Sequence, residues 1–240
     1  MRNTPAEQSG PGKMNFNNMS LETSKFLDLS QMEHAALFDG SVHVWDGLKR
    51  LRDYFASGRF SSGKFTVVGK PYIDENVFIG EGTVIEEGAM ILGPVLIGRN
   101  CHIRHGAYIR DCAIIGDSVV VGHSCEVKAS ILFNECEVPH FNYVGDSILG
   151  YKAHLGAGVK ISNMKIMPGK ISVRFNGEDI NTGLEKFGAI VGDYTQIGCN
   201  AVLNPGSIIG RNCVIYAGMS WRGSLPSNSI AKANGFYNIK

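Results

Sequence analysis

The apolar residues of this chain recur every six positions over a long central stretch. The period runs unbroken through Ile79, Ile85, Ile91, Ile97, Ile103, Ile109, Ile115, Val121 and Val127. A small or β-branched residue lies two positions before each of them, from Val77 to Cys125. This period fits neither an amphipathic helix nor an alternating strand. It predicts an all-β fold, a left-handed parallel β-helix in which each hexapeptide forms one wall of a triangular turn.

The repeat continues toward the C-terminus with two shifts of phase and one interruption. Its later members are Leu132, Val138, Val144, Leu149, Leu155, Ile161, Val191, Ile197, Leu203, Ile209 and Ile215. Over residues 163–188 the pattern is lost, and Asn176-Gly177 lies between two short apolar runs, which predicts a hairpin. We expect this segment to leave the β-helix as a protruding loop with a function of its own. A tolerated surface insertion is the alternative.

The chain before the repeat has a different character. Residues 1–20 are polar and predict a disordered tail, and residues 21–60 predict a helical cap on a β-helix that spans residues 61–240. Apolar residues recur at helical spacing at Trp45, Leu48, Leu51, Tyr54 and Phe55. We expect this apolar stripe to cover the open end of the β-helix, because the ends of stacked repeats need caps. A docking face for another protein is the alternative.

Composition and charge exclude several classes of function. The formal net charge of +1 gives no reason to expect nucleic acid or a membrane surface as partner. The chain has no apolar run of transmembrane length, and its polar N-terminus does not resemble a signal peptide. Its six cysteines include no C-x-x-C pair, so we expect core thiols rather than disulfides. These features predict a cytoplasmic protein.

Two cationic side chains are candidates for a binding site. Arg110 and Lys128 each follow an inward aliphatic residue, and their separation of 18 residues equals three hexapeptides, or one turn. They should therefore lie one above the other at the strand spacing of about 4.8 Å. Like charges at that distance repel unless an anion accompanies them, so we expect a phosphate site, with Arg104 as a third contact. Ordinary surface charge is the alternative.

His140 is the candidate general base. It follows Pro139 and lies between the inward residues Val138 and Val144. An imidazole that titrates near neutral pH can take a proton from a reacting amine. From its spacing we expect Glu126 to orient the imidazole, although a lone histidine is more often structural.

A second pair of histidines raises the question of a metal. His105 and His123 are also 18 residues apart and should stack on one face. Zinc, however, needs a third protein ligand, and none has a clear register here, so no metal site is predicted.

Several motifs together are more specific than the repeat. They are Ile109-Arg110, Val121-Gly122, Glu126 and Lys128, His140, Tyr143, Gly145-Asp146, Leu155 to Gly158, Ser162-Asn163, Lys186-Phe187, Val191-Gly192, Ile197-Gly198, Ala217-Gly218 and Ser229 to Lys232. In this order and spacing they resemble the acetyltransferase half of the bifunctional UDP-N-acetylglucosamine pyrophosphorylase/glucosamine-1-phosphate N-acetyltransferase family, within the hexapeptide-repeat acyltransferases. The likeness runs from Arg110 to the C-terminus. The first 70 residues show no pattern of the pyrophosphorylase half.

The resemblance implies a role for each matching residue. His140 matches the catalytic base. The residues that match sugar-phosphate contacts are Arg110, Lys128, Tyr143, His154 and Lys186. Those that match acetyl-CoA contacts are Ala157, Asn163, Cys199, Ala217 and Lys232. At His154, Met164, Cys199 and Lys232 this sequence departs from the family residue, which puts the identity of the acceptor in doubt more than the type of reaction.

Together these readings predict an acetyl-CoA-dependent N-acetyltransferase. The acceptor is an amino-sugar phosphate or nucleotide amino sugar, with glucosamine 1-phosphate favoured, in precursor synthesis for UDP-N-acetylglucosamine and the cell envelope. The backbone N–H groups of Gly156, Ala157 and Gly158 are candidates to stabilise the oxyanion. Because a flat prism wall has no deep pocket, we expect a homotrimer with sites between its subunits. The alternative is a non-catalytic β-helix that binds a sugar nucleotide.

Overall fold

The computed structural model describes residues 20–233 and 235–239, and the expected tail lies almost wholly outside them. These residues form the predicted left-handed parallel β-helix, with three faces. Face A contains strands Thr66–Val67, Val84–Ile85, His102–Ile103, Val120–His123, Glu137–His140, His154–Leu155, Gln196–Ile197, Val214–Ile215, Ser229–Lys232 and Gly235–Asn238. Face B contains Tyr72–Ile73, Met90–Ile91, Tyr108–Arg110, Glu126–Lys128, Tyr143–Gly145, Lys160–Ile161, Val202–Leu203 and Ser220–Trp221. Face C contains Val77–Ile79, Val95–Ile97, Ala113–Ile115, Ile131–Leu132, Ile148–Leu149, Ala189–Val191, Ser207–Ile209 and Ser224–Leu225.

The hexapeptide period sets the register between turns. Strands on successive turns pair in parallel, apart from the final Gly235–Asn238, so equivalent residues lie directly over one another. Ile109 pairs with Val127, and Val127 with Val144, across both the regular period and the shortened turn. The predicted inward aliphatic residues are all buried and form one continuous core. Each shift of phase therefore shortens a corner without breaking the stack.

Face C differs from the other two because its outward side is also apolar and buried. The outward residues are Leu96, Ile114, Ile131, Ile148, Ile190 and Ile208, and none is more than 5% exposed. On face B the equivalent position of Met90 is 42% exposed. Face C is thus an interior surface that needs a cover, and the N-terminal segment together with the excursion provides it.

The N-terminal segment does not cap the end of the β-helix, so that expectation was wrong. Its 3-10 turns Thr23–Lys25, Leu29–Gln31 and Ala35–Phe38 lead into helix α1, Asp46–Ser57. Backbone bonds attach this segment to two turns beside face C: Asn134 N donates to Gln31 O at 3.3 Å, and Asp193 N to Phe26 O at 3.0 Å. The apolar outward side of face C offers more area to bury than an open end does, which explains the position.

The excursion at residues 163–188 contains the predicted hairpin but protrudes less than expected. Strands Ser172–Phe175 and Glu178–Asn181 pair antiparallel about the turn at Asn176-Gly177. The side chains of the first strand are partly buried, and Ser224 Oγ donates to Arg174 O at 2.7 Å, so the hairpin packs back on the last turns. The loop before it remains exposed, with Ile166 fully so. Of the helices in the described part of the chain, none has the length and apolarity to cross a bilayer.

Candidate functional site: a corner column and a cation cluster

Equivalent residues from successive turns form a column at the corner between faces A and B. The backbone bonds Ser124 N to His105 O, Phe141 N to His123 O, Gly158 N to His140 O, Asn200 N to Ala157 O and Gly218 N to Cys199 O define it. This corner column therefore reads His105, His123, His140, Ala157, Cys199 and Ala217 from N- to C-terminal turns. In the turns after His140 the residues of the column are small, namely Ala157, Cys199 and Ala217. Lys232 lies near its lower end, with Nζ 4.8 Å from the centre of the Tyr216 ring.

The imidazole of His140 is available for proton transfer. The residue is exposed, and across residues 20–233 and 235–239 its side chain has no hydrogen-bond partner. Glu126 does not orient it, contrary to our expectation. That carboxylate instead accepts from Arg110 Nε and Nη2 at 3.0 and 2.7 Å, on face B. The spacing in sequence missed this because the chain turns a corner between the two residues.

Asn142 holds the turn that presents His140. Its Oδ1 accepts from His140 N at 3.0 Å, and its Nδ2 donates to Gly156 O at 2.7 Å. The side chain is 2% exposed. Between them Phe141 has a left-handed φ of 53°, a strained conformation for a bulky residue. The asparagine thus ties the strained turn of the candidate base to the next turn of the column.

Only one of the three predicted oxyanion donors is free. Gly156 N donates to Ile197 O at 2.7 Å, and Gly158 N to His140 O at 2.9 Å, so both are used by the ladder. Ala157 N has no backbone acceptor in the described ranges. The oxyanion assignment therefore narrows to Ala157, one turn below His140.

The predicted pair of cations lies at the far edge of face B. Arg110 and Lys128 are aligned in register on neighbouring strands. The anion between them is a side chain of the protein: Asp111 Oδ2 bonds Arg110 Nη1 and lies 3.9 Å from Lys128 Nζ. Asp146 Oδ2 lies 3.5 Å from the same ammonium. Burial would lower the pKa of Arg110, but Glu126 and Asp111 raise it above its usual value. The stacked pair alone is thus not evidence for a phosphate.

Tyr143 and Asn163 join this cluster. Tyr143 Oη donates to Asn163 Oδ1 at 3.3 Å, and Asn163 Nδ2 donates to Asp146 Oδ2 at 2.5 Å. Burial, with the nearby carboxylates of Glu126 and Asp146, raises the pKa of Tyr143. Asn163, which the resemblance matches to an acetyl-CoA contact, therefore lies beside the sugar-phosphate candidates and apart from the corner column that contains Ala157.

The remaining predicted contacts are spread over the chain. Lys186 lines the same cavity as Lys128. Arg104 is apart from the cation cluster, on face A beside Glu86, whose pKa it helps to lower. His154 also belongs to face A, where its Nδ1 bonds Glu137 Oε2 at 2.8 Å. Within one chain, therefore, neither Arg104 nor His154 meets the cations of face B.

The stacked histidines exist as predicted. The rings of His105 and His123 are 5.5 Å apart and within 9° of parallel. Each directs Nδ1 to a carbonyl oxygen, Glu87 O at 2.6 Å and His105 O at 3.0 Å, which fixes the proton on that nitrogen. Among the residues that the structure describes, no group of three or more His, Cys, Asp or Glu side chains is placed to hold a metal ion.

The chain is similar to known families and proteins over much of its length. Residues 91–178 match the family model described as the GMPPB C-terminal domain, and residues 188–218 match the bacterial transferase hexapeptide repeat. The "Bifunctional protein GlmU" of Methanococcus maripaludis is 32% identical over 179 residues, 72% of this chain and 43% of that protein. The chain thus spans less than half the length of that relative. A solved structure titled as a UDP-N-acetylglucosamine acyltransferase from Campylobacter jejuni aligns with a TM-score of 0.45 and 14% identity, over 74% of this chain and 68% of that one.

Fold and repeat define the class, a hexapeptide-repeat β-helix. One relative covers enough of both chains to show the family: the "Uncharacterized acetyltransferase YaiX" of Escherichia coli O6:K15:H31 is 35% identical over 162 residues, 66% of this chain and 70% of that protein. The chain belongs to the hexapeptide-repeat acyltransferases, as its motifs predicted.

Proposed function

We propose that the protein is an acetyl-CoA-dependent N-acetyltransferase for an amino-sugar phosphate, with glucosamine 1-phosphate as the first candidate, in the synthesis of UDP-N-acetylglucosamine and cell-envelope precursors. The observation that carries the proposal is the corner column. It joins His140, whose imidazole has no hydrogen-bond partner among the described residues, to a track of small residues at Ala157, Cys199 and Ala217. The track suits an extended thioester, and Lys232 near its end suits a phosphate of the cosubstrate.

The reaction needs one base and one oxyanion donor. The neutral imidazole of His140 takes a proton from the amine as the amine nitrogen bonds to the thioester carbonyl carbon. Ala157 N–H stabilises the negative oxygen of the tetrahedral intermediate. When the C–S bond breaks, the sulfur of CoA leaves with the electron pair and is protonated. Arg110, Lys128 and Tyr143 hold the sugar phosphate, with Lys186 beside them.

We further propose that the active unit is a homotrimer. His154 and Arg104 lie on face A, whereas Arg110 and Lys128 lie on face B. A groove between two copies, with face A of one against face B of the next, would bring these sets together around one substrate. Light scattering checks this: a monomeric mass at assay concentration would contradict the assembly.

The decisive variant is His140→Ala, with His123→Ala as its matched control one turn away. Incubation with acetyl-CoA and glucosamine 1-phosphate should release free CoA thiol that depends on the sugar. We expect His140→Ala to lose most turnover, because general bases contribute about 10²–10⁴-fold. His123→Ala should keep it, since the ring of His123 is already bonded to His105 O. Equal activity of wild type and His140→Ala would refute the assignment.

The second candidate is a non-catalytic β-helix that binds a sugar nucleotide. The carboxylates of Asp111, Asp146 and Glu126 around the two cations favour it, because they already compensate the charge that a substrate phosphate would meet. Two measurements, thermal stability and release of CoA thiol, distinguish the two functions. A non-catalytic protein gains thermal stability from the sugar nucleotide, yet releases no CoA thiol with any amino sugar.

A further inference from the structure

A cavity lies between α1 and the corner where face B meets face C. Its volume is about 710 Å³, within the usual range for a ligand site. The helix contributes one wall through Leu48, Leu51 and Phe55, and the turns of the β-helix contribute the opposite wall at Cys112 and Ala129. Helix α1 precedes the residues that match either family model, whereas the β-helix wall at Cys112 and Ala129 lies within the first match.

The charge of the cavity favours an anion. Lys128 has a side chain only 9% exposed and lines it. Its ammonium donates no hydrogen bond within the described chain, and the nearest carboxylate oxygens lie 3.5 and 3.9 Å away, on Asp146 and Asp111. Lys186 and Arg52 line the same space, and neither forms an ion pair in the ranges that the structure covers. Three cations thus face two carboxylates around a space large enough to admit a further anion.

The helix side of the cavity is apolar and favours an apolar group on the same ligand. Leu48, Leu51, Phe55 and Leu184 present aliphatic and aromatic carbon to the space. Water against such a wall is unfavourable, and a ligand that displaces it gains affinity. An inorganic ion would fill only the end of the cavity near Lys128.

The position of the cavity relative to His140 argues for a long ligand. His140 is at the corner between faces A and B, and Lys128 is at the far end of its strand on face B. The residues of one strand separate them, at about 3.3 Å per residue, in addition to the corner itself. A compound that reaches from the base to the far wall of the cavity is therefore longer than an amino-sugar phosphate.

We infer that the cavity under α1 binds a phosphate ester with a large apolar or planar group, as the distal part of the acceptor. This inference rests on the proposed function in one respect, namely that the amino sugar itself lies near His140. The preferred acceptor is then an amino sugar linked through phosphate to a nucleoside or to a prenyl chain, and glucosamine 1-phosphate is a shorter substrate that leaves the cavity unfilled. Both longer acceptors share the chemistry that the cavity recognises, and the experiment distinguishes them.

Two cysteines can report separately on the cavity under α1 and on the corner column. Cys112 lines the cavity and is half-buried, whereas Cys199 is exposed on the corner column. Burial raises the pKa of Cys101 and of Cys213 to about 11, and both thiols are shielded from a reagent. Burial also raises the pKa of the half-buried Cys112, so its alkylation at pH 8 is slower than that of the exposed Cys199. Alkylation of the native full-length chain with iodoacetamide, mapped by mass spectrometry, therefore gives separate rates at Cys112 and Cys199.

The probes are UDP, geranyl phosphate, inorganic phosphate and acetyl-CoA. We expect UDP or geranyl phosphate to slow alkylation of Cys112 at least fivefold at saturation and to leave Cys199 unchanged. Protection by UDP alone identifies a nucleotide, and protection by geranyl phosphate alone identifies a prenyl group. Inorganic phosphate should protect far less. Equal protection by phosphate, or none from any of these phosphates, would overturn the inference.

A pair of matched variants on α1 tests whether the protection of Cys112 arises from binding in the cavity. Ala56→Trp fills the cavity and should abolish protection of Cys112. Asp53→Trp adds the same bulk to an exposed site on the same helix, away from the cavity, and should keep it. Protection that survives in a folded Ala56→Trp would refute the site. Because acetyl-CoA is scored separately, at Cys199 and by thiol release, failure of the acetyltransferase proposal is distinguishable from failure of this one.

Discussion

The hydrogen bonds of Asn142 give the most quantitative test of how the candidate base is held. Replacement by leucine keeps the volume of the side chain but removes both of its polar atoms. His140 N–H then loses its acceptor and Gly156 C=O loses its side-chain donor, in a place where Asn142 itself is 2% exposed. Gly156 C=O keeps its backbone bond from Val159 N at 3.3 Å, so His140 N–H is the group left without a partner.

The magnitude follows from this one unsatisfied group. A buried polar group left without a partner costs about 1–3 kcal/mol, so Asn142→Leu should destabilise the fold by about 1–3 kcal/mol. For a chain of this length 1 kcal/mol shifts Tm by about 2–4 °C, which predicts a fall of roughly 2–12 °C. Thermal unfolding followed by circular dichroism measures it directly.

A second substitution at the same position separates hydrogen bonding from packing. In Asn142→Asp a protonated carboxyl can both accept from His140 N–H and donate to Gly156 O, whereas the carboxylate can only accept. Burial raises the pKa of such a carboxyl, so its stabilising form is present at low pH and is lost as the pH rises through that raised value. The Tm deficit of Asn142→Asp should therefore shrink between pH 8 and pH 5. A Tm of Asn142→Leu within about 2 °C of wild type would refute the role of Asn142.

Two further predictions concern the cover over face C. Ile131→Ala should lower the free energy of unfolding by about 2–4 kcal/mol because this outward residue of face C is fully buried. Met90→Ala on exposed face B should change it by less than about 1 kcal/mol, and similar losses in urea titrations would contradict the covered face. Burial, the leading cause, raises the pKa of Asp193, which accepts from Asp28 N at 2.8 Å. A raised pKa gives stability that is present below the unfolded value and lost as pH rises through the folded one, so wild type should gain Tm relative to Asp193→Asn as pH falls from 7 to 4. An unchanged difference would show that Asp193 does not titrate as inferred.

Much of the fold could be predicted from the six-residue repeat of apolar positions. Because one turn is three hexapeptides, residue numbers alone place Arg110 over Lys128 and His105 over His123, and both alignments are present. The same arithmetic could have found the covered face. Every third hexapeptide carries an apolar residue at its outward position, as at Ile114. This pattern indicates a face that another segment covers, and the N-terminal segment is a candidate for that cover.

The hydrogen-bond partners of the functional side chains could be predicted less well from the sequence. Glu126 was assigned to His140 from spacing, yet its carboxylate bonds Arg110 across one turn. Asp111 follows Arg110 directly in sequence and could have been foreseen as its counter-ion. Asn142 lies two residues after His140, but nothing in its spacing indicates that its amide points inward and bridges to Gly156.

The sequence by itself determined the scaffold, because its period of six fixes which side chains point inward and which lie over one another. Only the tertiary structure decided how the cations of face B are compensated and where α1 lies. Those features depend on how segments with no common period lie together, such as Lys128 and the helix Asp46–Ser57, which line one cavity. Their positions follow from which surfaces remain to be buried after the β-helix has formed, and a repeat that describes only neighbouring turns does not contain that information.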